Sequence, residues 1–70
     1  MEEVEVKVEV IRLGEKSLKI KVGETVESVV KRIGLNPSEY VAVLNGRVVP
    51  DDKAIENPSH LKLIPVVSGG

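Results

Sequence analysis

The residues of this sequence that could do chemistry are few and scattered. It contains no cysteine, so it has neither a thiolate nucleophile nor a disulfide framework. A lone His60 cannot form a zinc site by itself, and we interpret it as a loop residue. Asp51 and Asp52 are adjacent carboxylates, but such a pair is typical of a turn, here one that caps a short helical segment. No nucleophile, base and acid combine, so the chain is not expected to be an enzyme on its own.

The remaining candidate is the α-carboxylate of Gly70, which follows Ser68 and Gly69. A free carboxylate is a poor electrophile because it is anionic and lacks a leaving group, and adenylation would remove both defects. Two residues without a Cβ atom would let a thin chain enter the active site of another protein. The alternative is a frayed end or an expression remnant that has no function.

Two alternating segments near the N-terminus predict a β-hairpin. It would be part of the folded domain that carries the C-terminal residues. Residues 4–10 alternate valine with Glu or Lys, which is the period-two pattern of a strand with one buried face. Residues 18–22 alternate again, with Leu18, Ile20 and Val22 expected to point inward. Gly14 lies between the segments and is expected to supply an unusual backbone angle in the turn.

The middle of the chain predicts one helix with a single apolar stripe. Val26, Val29, Val30 and Ile33 have helical spacing, and Thr25 precedes them as a candidate N-cap, while a glycine and then a proline end the pattern. A helix with one apolar stripe covers one face of another element, which here is the valine face of the hairpin.

The C-terminal half predicts three further strands. Residues 40–50 form a second hairpin around Asn45-Gly46, the preferred two-residue turn. Residues 51–59 form a polar loop, and the segment from His60 onward is the last strand, with Leu61 and Leu63 on its inner face.

The element order therefore predicts an α+β domain of the ββαβββ type. A last strand placed between the two hairpins and parallel to the first strand completes one continuous mixed sheet of four to five strands, with the helix packed on one face. This is the ubiquitin-like β-grasp arrangement. We expect residues 1–67 to form this domain and residues 68–70 to form a flexible tail.

Strand parity predicts an apolar patch on the free face of the sheet. If Leu61 and Leu63 face the helix, then Val41, Val43, Ile64 and Val66 lie together on the opposite face. An apolar patch beside the tail is what a docking surface requires, and Ser68 would border it. The alternative is that the short strands pack on both faces, or that isolated surface valines have no role.

Composition and charge narrow the range of partners. Ten basic and eleven acidic residues are interspersed, for a net charge of −1, and Tyr40 is the only aromatic residue. The sequence has no cluster of basic residues to bind phosphates and no set of aromatic residues on which bases could stack. Nucleic acid is therefore not an expected partner. No apolar run is long enough for a membrane span, and the acidic, alternating N-terminus is unlike a signal peptide, so we expect a cytoplasmic protein. We also expect it to be monomeric when alone.

The run VAVLNGRVVPDD and the ending VVSGG resemble the prokaryotic sulfur carriers ThiS and MoaD, ubiquitin-like proteins of thiamin and molybdenum-cofactor synthesis. The chain is also similar to the small archaeal ubiquitin-like modifiers. The sequence favours the ThiS-like branch, because a strand is followed by a turn with Asn, then by Val-Pro and a polar loop. Two features depart from that branch: NPSH replaces an acidic Gly-Asp turn, and Pro65 is more like MoaD.

The resemblance implies that a ubiquitin-activating-type enzyme adenylates the Gly70 carboxylate, using ATP and Mg²⁺ that this chain does not itself hold. Sulfur then replaces oxygen, and a sulfur-accepting synthase takes the resulting thiocarboxylate, preferably for the thiamin thiazole. Molybdopterin and tRNA thiolation remain open as acceptors. Two alternatives also remain: a modifier joined to lysines through the same carboxyl group, and a plain β-grasp interaction module.

Overall fold

The computed structural model describes residues 2–66 and contains one main sheet, one α-helix, a 3₁₀ helix and a small two-stranded sheet. The elements, in chain order, are β1 (Glu3–Val10), β2 (Gly14–Lys21), β3 (Glu24–Thr25), α1 (Val26–Arg32), a 3₁₀ helix (Pro37–Glu39), β4 (Tyr40–Leu44), β5 (Arg47–Val49), β6 (Ala54–Ile55) and β7 (Ser59–Pro65).

The last strand lies in the middle of the main sheet, as the sequence predicts. The strand order is β2-β1-β7-β4-β5, and β7 runs parallel to β1 and antiparallel to β4. Leu61 is therefore the neighbour of both Val8 on β1 and Leu44 on β4. The α+β, ubiquitin-like β-grasp expectation is confirmed, with five strands in the mixed sheet and one α-helix.

The turn between β1 and β2 uses two left-handed backbone conformations. Arg12 has φ 74° and Gly14 has φ 112°. Glycine adopts the second conformation without strain because it has no Cβ atom. The cross-strand register then runs from Val10 opposite Gly14 back to Glu3 opposite Lys21.

Helix α1 covers the inner face of the sheet at the position that its apolar stripe predicts. Thr25 is the N-cap, and its Oγ1 accepts a hydrogen bond from the Ser28 N–H at 3.2 Å. Gly34, with φ 86°, ends the helix by donating its N–H to the Lys31 carbonyl at 3.0 Å. The buried helix residues are Val26, Val29 and Val30.

The polar segment after β5 differs from its prediction of a turn that caps a short helical segment. Asp51 and Asp52 do lie in a turn, but a two-residue strand, β6, follows them and pairs with β3. The carbonyls of Asp51 and Lys53 accept the N–H groups of Glu27 and Val26, at 2.8 and 3.0 Å. These bonds satisfy donors in the first turn of α1 that have no partner within the helix.

Aliphatic side chains from the sheet, the helix and β6 form one core. Ile55 on β6 is buried in it, which explains why the polar segment folds as a strand against β3. Val22 was expected to point inward, but that prediction is wrong because β2 ends at Lys21 and Val22 is 38% exposed. The buried residues are Val6, Val8, Val10, Ile20, Val26, Val29, Val30, Ala42, Leu44, Ile55, Leu61 and Leu63.

Glu24 ties the small sheet to the helix through a charged network. Its carboxylate accepts hydrogen bonds from the Ser28 hydroxyl at 2.8 Å and from Arg32 Nη2 at 2.7 and 2.8 Å. The Glu24 side chain is only 8% exposed. Burial acts to raise the pKa of this carboxyl, but hydrogen bonds from Ser28, Arg32 and the Lys21 backbone, together with the Arg32 charge, lower the pKa below its ordinary value of 4.5.

We expect Glu24→Gln to lower the free energy of unfolding by about 1–3 kcal/mol at pH 7, because it weakens charge-assisted hydrogen bonds. A lowered pKa stabilises the fold above the ordinary value of the carboxyl, and this stabilisation is lost as the pH falls through the folded-state pKa. Urea unfolding at pH 7 and near pH 3 should therefore show the difference between wild type and variant shrinking in acid. The matched control is Glu27→Gln, whose pair with Lys31 is exposed and should contribute less than about 0.5 kcal/mol. A difference that stays constant across this pH range would contradict the account.

Among residues 2–66, no helix combines the length and the apolar character that crossing a membrane requires.

Candidate functional site

An apolar area on the free face of the sheet is where the predicted docking residues meet. Val41 lies opposite Ile64, and Val43 lies opposite Lys62, on the face that points away from α1. Between them, Ala42 pairs with Leu63 on the buried face, so the predicted strand parity matches the structure. Val41 and Val43 are half-buried and Ile64 is 39% exposed.

Val48 extends this area and was not among the predicted residues. The Asn45-Gly46 turn places Leu44 opposite Arg47 and Val43 opposite Val48. Val48 is therefore on the same face as Val43, and it is 74% exposed. The two-residue turn seen in the sequence already implied this register, so parity counted across the turn would have found Val48.

Val66 connects the apolar area to the C-terminal end of the sequence. It follows β7 and donates its N–H to the Glu39 carbonyl at 2.9 Å, which holds it beside the start of β4. Its side chain is 46% exposed. We call Val41, Val43, Val48, Ile64 and Val66 the apolar face.

Residues 67–70 lie outside the described residues. The predictions for Ser68, Gly69 and Gly70, and the boundary between a domain of residues 1–67 and a tail of residues 68–70, therefore stay predictions. What the structure provides is the position of Val66, from which this segment continues along the chain.

His60 was interpreted both as a loop residue and as the start of the last strand, and the structure confirms the strand and not the loop. It is the second residue of β7, where its N–H donates to Asn45 Oδ1 and its carbonyl accepts from the Asn45 N–H, both at 2.9 Å. The preceding NPS sequence suggested a loop, but pairing with Lys7 on β1 and the hydrogen bonds to Asn45, just after β4, bring His60 into the sheet. Its ring lies on the free face, with Nε2 3.2 Å from Glu9 Oε1.

The free face is thus divided into two halves of different character. β4, β5 and the end of β7 carry the apolar face, whereas β2, β1 and the start of β7 carry charged side chains. Lys7 and Glu15 form an exposed ion pair at 3.6 Å in the charged half. Lys62 lies between Glu9 and Val43 in the sheet and so marks the boundary.

Several solved structures share the architecture of this chain. The chain is similar to a putative molybdopterin converting factor subunit 1 from Pyrococcus furiosus, with a TM-score of 0.72, 19% identity, and coverage of 91% of this chain and 99% of that one. It is similar to a ubiquitin from Caldiarchaeum subterraneum, with a TM-score of 0.74, 19% identity, and coverage of 99% and 100%. A designed protein based on ubiquitin gives a TM-score of 0.76 at 18% identity, with coverage of 96% and 93%. The fold is therefore that of a ubiquitin-like β-grasp protein.

A comparison of the sequence with protein-family models identifies the family of the chain. The family model of small archaeal modifier protein 2 matches residues 4–67, which is nearly the whole chain. The chain belongs to this family.

Proposed function

We propose that this protein acts through the α-carboxylate of Gly70, as a ubiquitin-like modifier joined to lysine amines of other proteins. In the first step a carboxylate oxygen attacks the α-phosphorus of ATP, and the bond to the β-phosphate breaks, so that pyrophosphate leaves. The amine nitrogen then attacks the acyl carbon, AMP leaves, and the nitrogen loses a proton. The product is an isopeptide bond.

The observation that supports this proposal most strongly is the family match over residues 4–67, because that family is described as one of modifier proteins. Small ubiquitin-like modifiers and sulfur carriers are generally non-catalytic. We therefore assign the activating chemistry, including ATP and Mg²⁺, to a ubiquitin-activating-type partner enzyme.

The position of the apolar face suits this role. Four residues follow Val66, and an extended chain of that length spans at most about 14 Å. An enzyme that holds Gly70 in its active site must therefore approach Val66 closely. The neighbouring Val41 and Ile64 are then within reach of its surface, so the apolar face is the proposed docking surface for the activating enzyme.

Sulfur carriage is the second candidate function. The run from Val41 through Asp52, with its similarity to ThiS, and the MoaD-like Pro65 favour it. The same acyl-adenylate would be used, with a sulfur nucleophile displacing AMP to give a thiocarboxylate for a sulfur-accepting synthase. The thiamin thiazole, molybdopterin and tRNA are the candidate acceptors.

The two functions are distinguished by mass spectrometry of the tagged protein purified from its own source. Lys62 is the last basic residue of the sequence, so trypsin leaves residues 63–70 on any lysine to which the chain is joined. That eight-residue remnant on lysines of other proteins supports the modifier. A Ser68→Lys variant shortens the remnant to Gly-Gly, which confirms the assignment on the same lysines.

An oxygen-for-sulfur mass gain confined to the free 63–70 peptide supports the carrier instead. If neither product is found in material whose intact mass shows the chain ending at Gly70, both candidate functions are contradicted. A plain β-grasp interaction module would then remain.

A charge on the apolar face is expected to weaken activation without unfolding the protein. We predict that Val43→Asp lowers the partner enzyme's kcat/KM for adenylation by about tenfold or more, because a docked carboxylate loses its water without gaining a partner. Val43 is half-buried on the free face, outside the core cluster. Pyrophosphate exchange with the purified enzyme measures this loss.

The matched control is Ser17→Asp, which adds the same charge to the charged half of the same face. It should leave adenylation within about twofold of wild type. Equal losses for Val43→Asp and Ser17→Asp would show that net charge matters and the apolar face does not. An unfolded Val43→Asp variant would show that Val43 belongs to the core.

A further inference from the structure

A cluster of three metal-ligating side chains lies on the charged half of the free face, apart from the apolar face. Glu9, Glu15 and His60 each offer one donor atom, and these atoms all lie within 4.8 Å of one another. The three residues come from three adjacent strands, β1, β2 and β7. Although one histidine cannot form a metal site alone, the fold supplies it with two carboxylates that are distant in sequence.

The sheet fixes the backbone positions of the three residues relative to one another. Glu9 and Glu15 are direct cross-strand partners, so two like charges face each other, which is unfavourable in a sheet unless a cation lies near them. His60 is fixed by two hydrogen bonds to Asn45, both at 2.9 Å, and its ring reaches diagonally to Glu9. A depression of about 300 Å³ adjoins Glu9 and His60.

The spacing suits a small divalent cation. Zn²⁺ binds imidazole nitrogen and carboxylate oxygen at about 2.0–2.2 Å, so neighbouring donors in a tetrahedral site lie about 3.3 Å apart. His60 Nε2 and Glu9 Oε1 are already 3.2 Å apart. Glu15 is half exposed on a sheet edge, and rotation about its side-chain bonds can bring its oxygen to the same spacing.

Two lysines lie beside the cluster on the same face, Lys62 as the neighbour of Glu9 on β7 and Lys7 as the ion-pair partner of Glu15. The Lys7 amine is 3.6 Å from Glu15 Oε1, and both side chains are about half exposed. An exposed pair of this kind contributes little free energy and is easily exchanged. The contact between His60 and Glu9 is also open to exchange, since the imidazole nitrogen that faces Glu9 is a donor atom for a metal.

We propose that Glu9, Glu15 and His60 form a binding site for a divalent cation of the borderline class, of which Zn²⁺ is the representative. A donor set of one imidazole and two carboxylates favours Zn²⁺ over Mg²⁺ and Ca²⁺, which prefer oxygen ligands alone. Three protein ligands leave at least one coordination position open to solvent. The site is independent of the proposed activation of Gly70.

Titration of the full chain with ZnCl₂ tests the proposal by calorimetry and by amide chemical shifts. We expect saturable binding of one ion, with the largest shift changes at Glu9, Glu15 and His60 and their strand neighbours. Excess MgCl₂ should not compete. His60→Asn and Glu9→Gln should each weaken binding by at least about tenfold, because each removes a ligand.

The matched control is Glu5→Gln, on the same face of β1 but paired with Lys19 away from the cluster. Its affinity for Zn²⁺ should stay within about twofold of wild type. Amide spectra of each metal-free variant establish that the fold is retained. Binding that is unsaturable, that survives His60→Asn, or that falls equally in Glu5→Gln would overturn the proposal.

Discussion

Deletion of Gly69 and Gly70 is expected to abolish every covalent product of this protein. In its own source, tagged wild type should give adducts that persist on a denaturing gel, whereas the deletion variant should give none above background. The reason is that the proposed reaction needs a terminal carboxylate at the end of a chain that is thin enough to enter the activating enzyme. After the deletion the carboxylate belongs to Ser68, which carries a Cβ atom and a hydroxyl and sits two residues nearer to the fold.

This prediction has a stability control, because a variant that unfolds would also lose its adducts. The deletion lies beyond Val66, and the buried residue nearest to it in sequence is Leu63. The midpoint of thermal unfolding should therefore match that of wild type. Gly69→Ala and Gly70→Ala keep the length of the chain and add only a Cβ atom. The loss of adducts in these two variants should therefore measure how narrow the chain must be. Wild-type adduct levels in the deletion variant would refute the proposed role of Gly70.

The second large effect is expected in the core. Leu63→Ala should lower the free energy of unfolding by about 2–5 kcal/mol, the range for truncating a fully buried leucine. Leu63 lies on the central strand between Val10 and Ala42 and is completely buried. A domain of this length has a total stability of about 4–10 kcal/mol. The variant is therefore expected to be partly or wholly unfolded at 37 °C, as urea unfolding would measure.

Ile64→Ala is the matched control for this prediction. Ile64 is the next residue on the same strand and points to the free face, where its side chain is 39% exposed. We expect a loss of less than about 1 kcal/mol, because its side chain is already partly hydrated. Similar losses for the two variants would mean that both faces of β7 are packed, contrary to the proposed exposed apolar face.

Most of the fold could be predicted from the sequence because local pattern and long-range packing agree. The alternation of residues 4–10, the stripe that begins at Val26 and the Asn45-Gly46 turn each specify one local structure. The arrangement of the sheet then follows, because a central β7 is what joins the two hairpins into one sheet.

The parts that could not be predicted depend on contacts between distant residues. The pairing of β3 with β6 leaves no periodic signal, because each strand has only two residues. The burial of Ile55 depends on a core that distant elements of the chain form together. Val22 continues the alternation of β2, but the strand ends at Lys21 and Val22 lies in the turn that follows. Ser59 belongs to the turn-forming NPS sequence, and only the pairing of Ser59 with Val6 on β1 shows that β7 begins there, one residue before the predicted start.

The free face of the sheet also has one part that could be predicted from the sequence and one part that could not. The facing of Val41, Val43 and Ile64 follows from strand parity and agrees with the structure. The cluster of Glu9, Glu15 and His60 could not be read from the sequence, because the distance between residues 9 and 60 along the chain hides their proximity on adjacent strands.

Pyrophosphate exchange by the activating enzyme tests the central claim most directly. The comparison is between a chain that ends in the free carboxylate of Gly70 and a semisynthetic chain of the same sequence that ends in a carboxamide. Both keep every side chain and the apolar face, and they differ in one functional group. We predict ATP-dependent exchange with the carboxylate form and none with the carboxamide form. Equal exchange with the two forms would contradict the claim that the Gly70 carboxylate is the reactive group.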